Sequence, residues 1–317
     1  MIDISVIVPV WRPCDFESLY ISMSGNTGNN IEWIVVNDGS GSEFNSVFKK
    51  VPKGVKLVHL NENRRQGAAR NVGLTEAKGD WIKFLDAGDI LDAGHLVELY
   101  AAAGYEKTIP FASTKHIFAN GQTSVNKSWR NLALDSHAQF RRQLVRPFLS
   151  HCGALFPRNL LATIGGYDES LVTDEDGDLL LRILRAGYHF IPVENVYYHY
   201  IHHQGVSRVS ADDDIRKMQA RNRVCDKIEN DFAGQIPLDV AEALAQRMDK
   251  IAMSYWVAFP SEAKVLLSRA QQLAPGYQPD MRFPLRLIRS LFGPSAVFFI
   301  QSMYRQLKGY PKGGAQG

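Results

Sequence analysis

A chain of 317 residues is longer than one small core requires, and its 45% hydrophobic and 22% charged residues are ordinary for a globular protein. The net charge of +3 hides an asymmetry: residues 280–317 carry six Arg or Lys against one acid, Asp280, which leaves the rest at −2 and excludes a nucleic-acid-binding body by charge. Three scattered cysteines, Cys14, Cys152 and Cys225, form no Cys-x-x-Cys pair, which argues against a disulfide framework or a zinc site and for a reducing compartment.

The N-terminus does not read as a signal peptide, because Met1-Ile2-Asp3-Ile4 lacks a basic flank and the first apolar run ends at Pro9. That run, Ile4 to Val10, is β-branched and suits a central parallel strand. A second strand is expected over Glu32 to Asn37, ending in Asn37-Asp38-Gly39-Ser40, and a third over Val55 to Leu60. Gly67 to Ala77 has helical composition with small residues that permit close packing. Trp81 to Leu85 closes this half as a buried strand, after which the chain turns polar with Asp86 and Asp89 around Ala87-Gly88. Strand and helix alternating at short intervals imply a parallel sheet with crossover helices.

The middle third is less regular. Strands are expected over Phe111–Phe118, Ser124–Trp129, His189–Val193 and Val196–Tyr200, with helices over Asp135–Leu144 and Leu179–Arg185, the latter ended by Gly187. Gly165-Gly166-Tyr167-Asp168 is a turn. From Asp212 the pattern is helical, broken at Pro237, Pro260 and Pro275, so the first domain is expected to end near residue 210 and a helical extension to fill 211–317.

Acids at the carboxyl end of a strand in an open α/β sheet sit where ligands bind. Asp86 and Asp89, three residues apart in a small-residue turn, can hold a hard divalent cation, and such a cation can hold a diphosphate; a solvated turn is the plainer alternative. Asp38 can accept a hydrogen bond from the N3–H of a uracil or thymine, or simply serve the turn before Gly39. A guanidinium from Arg65 or Arg64 suits carbonyl and phosphate oxygens. Glu175 and Asp176 precede an apolar helix, where a carboxylate can act as a general base or as a helix cap.

Six segments fall in one order: Ser5 to Val10, Asn37 to Ser40, Arg64 to Gly73, Phe84 to Asp89, Gly165 to Asp168, and Glu175 to Arg182. Together they resemble the family 2 glycosyltransferases of GT-A fold, over about two thirds of the chain, residues 1–210. The resemblance implies a Rossmann-like, mostly parallel α/β sheet flanked by helices. It divides residues 1–90, which bind the nucleotide, from residues 91–210 on the acceptor side. It further implies an inverting transfer of a sugar from a nucleoside diphosphate, UDP first, to a glycan or lipid-linked acceptor. By the same resemblance Asp176 is the general base with Glu175 beside it. Pro9, Val10, Asp38, Arg65, Gly67 and Asp86 bind the nucleotide, and Asp86, Asp89 and His202 approach Mg²⁺ or Mn²⁺. Many relatives read Asp-x-Asp-Asp at the acidic turn, and here Gly88 replaces the third-position acid, which leaves fewer protein ligands for the metal. Tyr200 likewise replaces an arginine usual before the histidine.

Residues 283–304 mix apolar side chains with Arg and break at Gly293-Pro294; they suit a membrane interface, a helix packed on the body, or a dimer contact. A cytoplasmic protein, with a contact at the inner membrane face, is the expectation. Two rivals are a sugar nucleotidyltransferase, disfavoured because Val10-Trp11-Arg12-Pro13-Cys14 lacks a glycine-rich loop, and a non-catalytic sugar-binding relative, for which Gly88 speaks.

Overall fold

The structure, a computed structural model, describes residues 2–11, 16–28, 30–41, 48–49, 51–126, 135–202 and 214–278, with six isolated positions between 285 and 300. Trp129 and most of residues 283–304 therefore lie outside the described residues. The chain forms two compact units: Met1–Phe140 with Phe148–Leu171 and Glu175–Val206, and Arg141–Pro147 with Val172–Asp174 and Ser207–Gly317.

In the first unit, β1 (Ile4–Val10) leads through α1 (Glu17–Gly25) to β2 (Ile31–Asn37), and β3 (Lys56–His59), α2 (Arg65–Glu76) and β4 (Trp81–Phe84) follow. Every residue of β1 is buried, as its mostly apolar run requires of a central strand, and its one hydroxyl, on Ser5, donates to Glu32 Oε1 at 2.5 Å. It pairs in parallel with β2 on one side and β4 on the other, and β3 extends the sheet beyond β2. Helix α2 lies close on this sheet because position 73 has no side chain: a Cβ there would stand 2.3 Å from Ile7 Cγ2.

Beyond the acidic turn come β5 (Ile90–Leu91), α3 (His95–Ala101), β6 (Thr108–Phe118), β7 (Thr123–Val125) and α4 (Ser136–Val145). A 3₁₀ turn at His151–Gly153, β8 (Phe156–Pro157), α5 (Arg158–Thr163), α6 (Glu175–Arg185) and β9 (His189–His202) complete the order. β8 adds antiparallel to β4, giving one sheet in the order β3-β2-β1-β4-β8, and a second sheet runs β5-β9-β6-β7. The two strands expected over 189–200 are one. β9 pairs with β6 throughout, with a register shift at Ala112/Ser113 that skips three residues around Asn195, whose φ is +71°. A bulge absorbs the polar Glu194-Asn195 step that reads in sequence as a break.

The second unit contains α7 (Ile215–Asp231), α8 (Leu238–Tyr255) and α9 (Pro260–Leu273). Their buried faces supply Val224, Leu244, Met248 and Leu266 to its core, and Arg269 ties α9 to α7 through Asp226 at 2.5 Å and Glu229 at 2.7 Å. Among the described residues no helix is long and apolar enough to cross a membrane.

Candidate active site

The chain leaves β4 at Phe84 and turns through Asp86, Ala87 and Gly88 to Asp89, whose N–H closes on Asp86 O at 3.1 Å. Gly88 takes a φ of +96°, open to glycine at little cost. The two acids at the ends of this turn face different surroundings.

Asp86 meets Arg70, a residue of α2 that is 1% exposed. The guanidinium donates to Asp86 Oδ1 at 2.6 Å, to Glu175 Oε1 at 3.1 Å and to Gln66 Oε1 at 3.0 Å, and lies over the Tyr167 ring at 5.2 Å. Burial of Asp86 opposes its charge, but Arg70 and then His151 outweigh that and hold its carboxyl well below the carboxylate range. A rigid guanidinium fork is suited to this, because one side chain can satisfy two carboxylates in fixed directions. Gly67 sits one turn earlier, where a Cβ would stand 3.5 Å from Tyr167 Cβ and 3.6 Å from Glu175 Cγ.

Glu175 and Asp176 open α6, where negative charge meets the helix's free N–H groups. Burial raises Glu175 despite Arg70. Asp176 is also opposed by burial, yet His151 and Arg70 bring it down to about 2, so it stands ionised at neutral pH. Asp178 is structural: it pairs with Arg182 at 2.8 Å, and Arg182 also donates to Ile164 O and Gly166 O, bracing the turn before Tyr167. Asn71 anchors the same turn to α2, donating to Tyr167 O at 2.9 Å and accepting from Tyr167 N at 2.8 Å.

Between the two acidic stretches lies His151, which is 5% exposed. Its Nδ1 is 3.6 Å from Asp176 Oδ2 and its Nε2 is 3.8 Å from Asp86 Oδ1 and 3.2 Å from Cys152 Sγ. Burial opposes a charge here, but the acidic groups around it, Cys152 first and Asp176 among them, raise its pKa well above the ordinary histidine value. In sequence, Ser150 to Phe156 reads only as a small apolar run; a polar His-Cys pair inside such a run is the signal that could have found it.

Asp89 is buried at 6% exposure and turned away from this cluster. Its Oδ1 accepts from Ile201 N at 2.9 Å and its Oδ2 accepts from the Tyr198 hydroxyl. Burial, then the nearby Asp86 charge, push its pKa up to about 7. His202 follows Ile201 on β9; its Nε2 lies 3.0 Å from His116 Nδ1, and its ring stacks on Phe118 at 4.4 Å. The expected trio of Asp86, Asp89 and His202 is thus not what the fold assembles: among the described residues, the three donors within 4.8 Å of one another are Asp86, His151 and Cys152. These do not fit a hard cation, which prefers oxygen ligands.

At the carboxyl ends of β2 and β3 a cavity of about 680 Å³ opens, lined by Asn37, Gly39, Ser40, Phe48 and His59. Pro9 and Val10 end β1 beside it, with Val10 O accepting from Asp38 N at 2.8 Å. The Asp38 carboxylate is 1% exposed; it accepts from Arg64 N at 2.7 Å and Asn63 Nδ2 at 3.1 Å, ahead of α2, and burial raises its pKa. Gly39 is obligatory here: its φ is +67° and a Cβ would stand 2.1 Å from the Glu62 carbonyl carbon. Arg64 pairs with Glu169 at 2.8 Å, whereas Arg65 is exposed and holds a φ of +71° at the first residue of α2.

A mostly parallel sheet flanked by helices, with acids at the carboxyl ends of its strands, is an architecture of GT-A type, and known structures share it. Residues 1–349 of S. aureus TarS, in a crystal structure with UDP-GlcNAc, superpose with a TM-score of 0.67 at 18% identity, over 98% of this chain and 93% of that one. The family model for glycosyl transferase family 2 matches residues 5–165, and the chain belongs to that family. An uncharacterized glycosyltransferase of Rickettsia felis is 29% identical over 199 residues, 59% of this chain and 32% of its own length. A GalNAc(5)-diNAcBac-PP-undecaprenol beta-1,3-glucosyltransferase of Campylobacter jejuni is 30% identical over 174 residues, 51% and 53% of the two chains. The chain spans about a third of the length of the first of these relatives.

Proposed function

We propose that this chain transfers a sugar from a nucleoside diphosphate, UDP first, to a hydroxyl of a glycan or lipid-linked acceptor, with inversion at the anomeric carbon. The observation that carries the reading is the Arg70 fork: it joins Asp86, at the end of β4, to Glu175, at the start of α6 and 105 residues beyond Arg70 itself. Two acidic stretches that look unrelated in the sequence thereby face one another at the carboxyl ends of the strands, where α/β sheets bind ligands.

In the proposed reaction the Asp176 carboxylate takes the proton of the acceptor hydroxyl. The acceptor oxygen attacks the anomeric carbon from the side opposite the diphosphate. The bond from that carbon to the diphosphate oxygen breaks, and the nucleoside diphosphate leaves with the electron pair. Asp176 suits the first step because His151 and Arg70 keep it ionised and its side chain is 46% exposed, open to a substrate. The cavity beside Pro9, Val10 and Asp38 is the proposed seat of the base, with Arg65 and Gly67 toward the phosphates. The UDP-GlcNAc bound in the TarS crystal supports a UDP donor, and the undecaprenol-linked chemistry in the name of the Campylobacter relative supports a lipid-linked glycan acceptor. Such an acceptor would bring the chain to a membrane face, and residues 283–304 have the composition for that contact.

Replacing Asp176 with Asn removes the base while preserving shape. Turnover of a UDP-sugar should fall by at least about 10²-fold with UDP affinity in calorimetry unchanged. Turnover at the wild-type rate would sink the assignment.

A further inference from the structure

The sequence spacing of Cys14, Cys152 and Cys225 argues against a zinc site, yet spacing speaks only for ligands contributed by one local segment. The fold brings a thiol, an imidazole and a carboxylate together from two separate segments. We propose that Asp86 Oδ, His151 Nε2 and Cys152 Sγ form a three-ligand site for a borderline-soft divalent ion of the Zn²⁺ class, with its fourth position open.

Four observations support this. First, the spacing fits: the 3.2 Å from Cys152 Sγ to His151 Nε2 and the 3.8 Å from that nitrogen to Asp86 Oδ1 bracket the edge of a small tetrahedral shell. With Zn–S about 2.3 Å and Zn–N about 2.0 Å, such an edge is about 3.5 Å. Second, the surrounding groups orient the ligands. His151 Nδ1 is buried without a hydrogen bond and lies 3.6 Å from the Asp176 carboxylate, a short shift from the bond that orients a metal-bound ring, while Arg70 bonds the Asp86 carboxylate. Third, the ligands are held before any ion arrives. Lys83, fully buried on β4, donates from Nζ to Cys152 O, and the rings of Phe84 and Tyr167 pack against His151 at 6.2 and 6.0 Å. Fourth, two ligands are buried while the Asp86 side chain is 30% exposed, so the shell opens to solvent on the Asp86 side.

The donor set selects the ion. A thiolate and an imidazole favour Zn²⁺ over Mg²⁺ or Mn²⁺. Gly88 offers no carboxylate, and both oxygens of Asp89 already accept hydrogen bonds, so the turn supplies a hard ion with little besides Asp86. The inference rests on the proposed active site only in sharing Asp86 and in placing Asp176 on the far edge of the same imidazole.

The test is direct metal binding by the untagged full chain. After equilibrium dialysis against Zn²⁺ and gel filtration, mass spectrometry of the metal content should give about one ion per chain, and titration with Co²⁺ should produce a thiolate-to-cobalt charge-transfer band. Cys152→Ser and Asp86→Asn should each weaken binding by at least about tenfold, and Cys152→Ser should abolish the band, while Asp89→Asn leaves both readouts unchanged. Absence of the band in the wild-type chain, or equal stoichiometry in wild type and Cys152→Ser, would each overturn the proposal. UDP calorimetry separates the two readings. Metal binding without UDP binding keeps this site and removes the donor reading; UDP binding by a chain that takes up no Zn²⁺ does the reverse.

Discussion

The turn after β4 has two sides, and the same residue type does opposite things on them. On one side Asp86 is 30% exposed, wired to Arg70 and held strongly acidic. On the other, Asp89 is buried, strapped to Tyr198 and Ile201, and pushed up to about 7. Two residues of chain, Ala87 and Gly88, separate a carboxylate available for chemistry from one that serves as an internal brace. What decides is whether a buried cation stands beside the acid: the guanidinium compensates the loss of water for Asp86, and a hydroxyl and an amide do not do so for Asp89.

The largest expected effect comes from breaking the wired side. Arg70→Met leaves Asp86 and Glu175 without their common partner, which should cost about 3–5 kcal/mol in a denaturant titration. Arg70→Lys restores a charge but not a fork, so it should recover much of that stability while turnover stays at least about 10²-fold down. If the lysine variant turned over normally, charge alone would suffice and the geometric argument for the fork would fail.

The braced side should show itself through pH. An acid whose folded pKa lies at about 7 against an ordinary 3.8 holds its proton longer in the folded chain than in the unfolded one. Its contribution is therefore present at low pH and is lost as pH rises toward about 7, with a slope of at most about 1.4 kcal/mol per pH unit. Asp89→Asn mimics the protonated acid and should flatten that part of the stability profile between pH 4 and pH 7. Turnover should stay within about threefold, because both oxygens of this carboxyl already accept hydrogen bonds inside the fold and are not free for a substrate. Superimposable profiles for the two proteins would put Asp89 outside this account.

The contrast also marks how far the sequence could be read. The parallel strands are legible because β1, β2 and β4 are short apolar runs with polar ends, and the helices of the second unit because their breaks fall at prolines. The acidic stretches are visible as residues but not as partners. Arg70 is visible only as part of an Ala-Arg-Asn run, and nothing local tells that it is buried or which acids it reaches. His151 escapes altogether, since its significance depends on β8 pairing with β4 and bringing the 3₁₀ turn beneath Asp86. The resemblance offers Asp89 and His202 as ligands; the competing partners, Tyr198, Ile201 and His116, come from β9 and β6.

The smallest effect extends the contrast along α2, from the pinned Arg70 to Arg65 at the helix start. Arg65 is exposed and sits at φ +71°, a conformation that favours glycine and costs another L-residue about 1 kcal/mol. A side chain kept at that cost beside Asp38 and the cavity above β2 and β3 is expected to act on something outside the fold. Arg65→Gly should therefore raise stability by about 1 kcal/mol and at the same time weaken UDP binding by about tenfold, the loss of one charge-assisted hydrogen bond. Arg65→Ala separates the two effects: it removes the guanidinium but keeps the strained backbone, so affinity should fall equally with no gain in stability. Stability and affinity measured on both variants decide the matter, because a glycine variant that is more stable and binds UDP as tightly as wild type leaves the arginine with strain and no role at the phosphates.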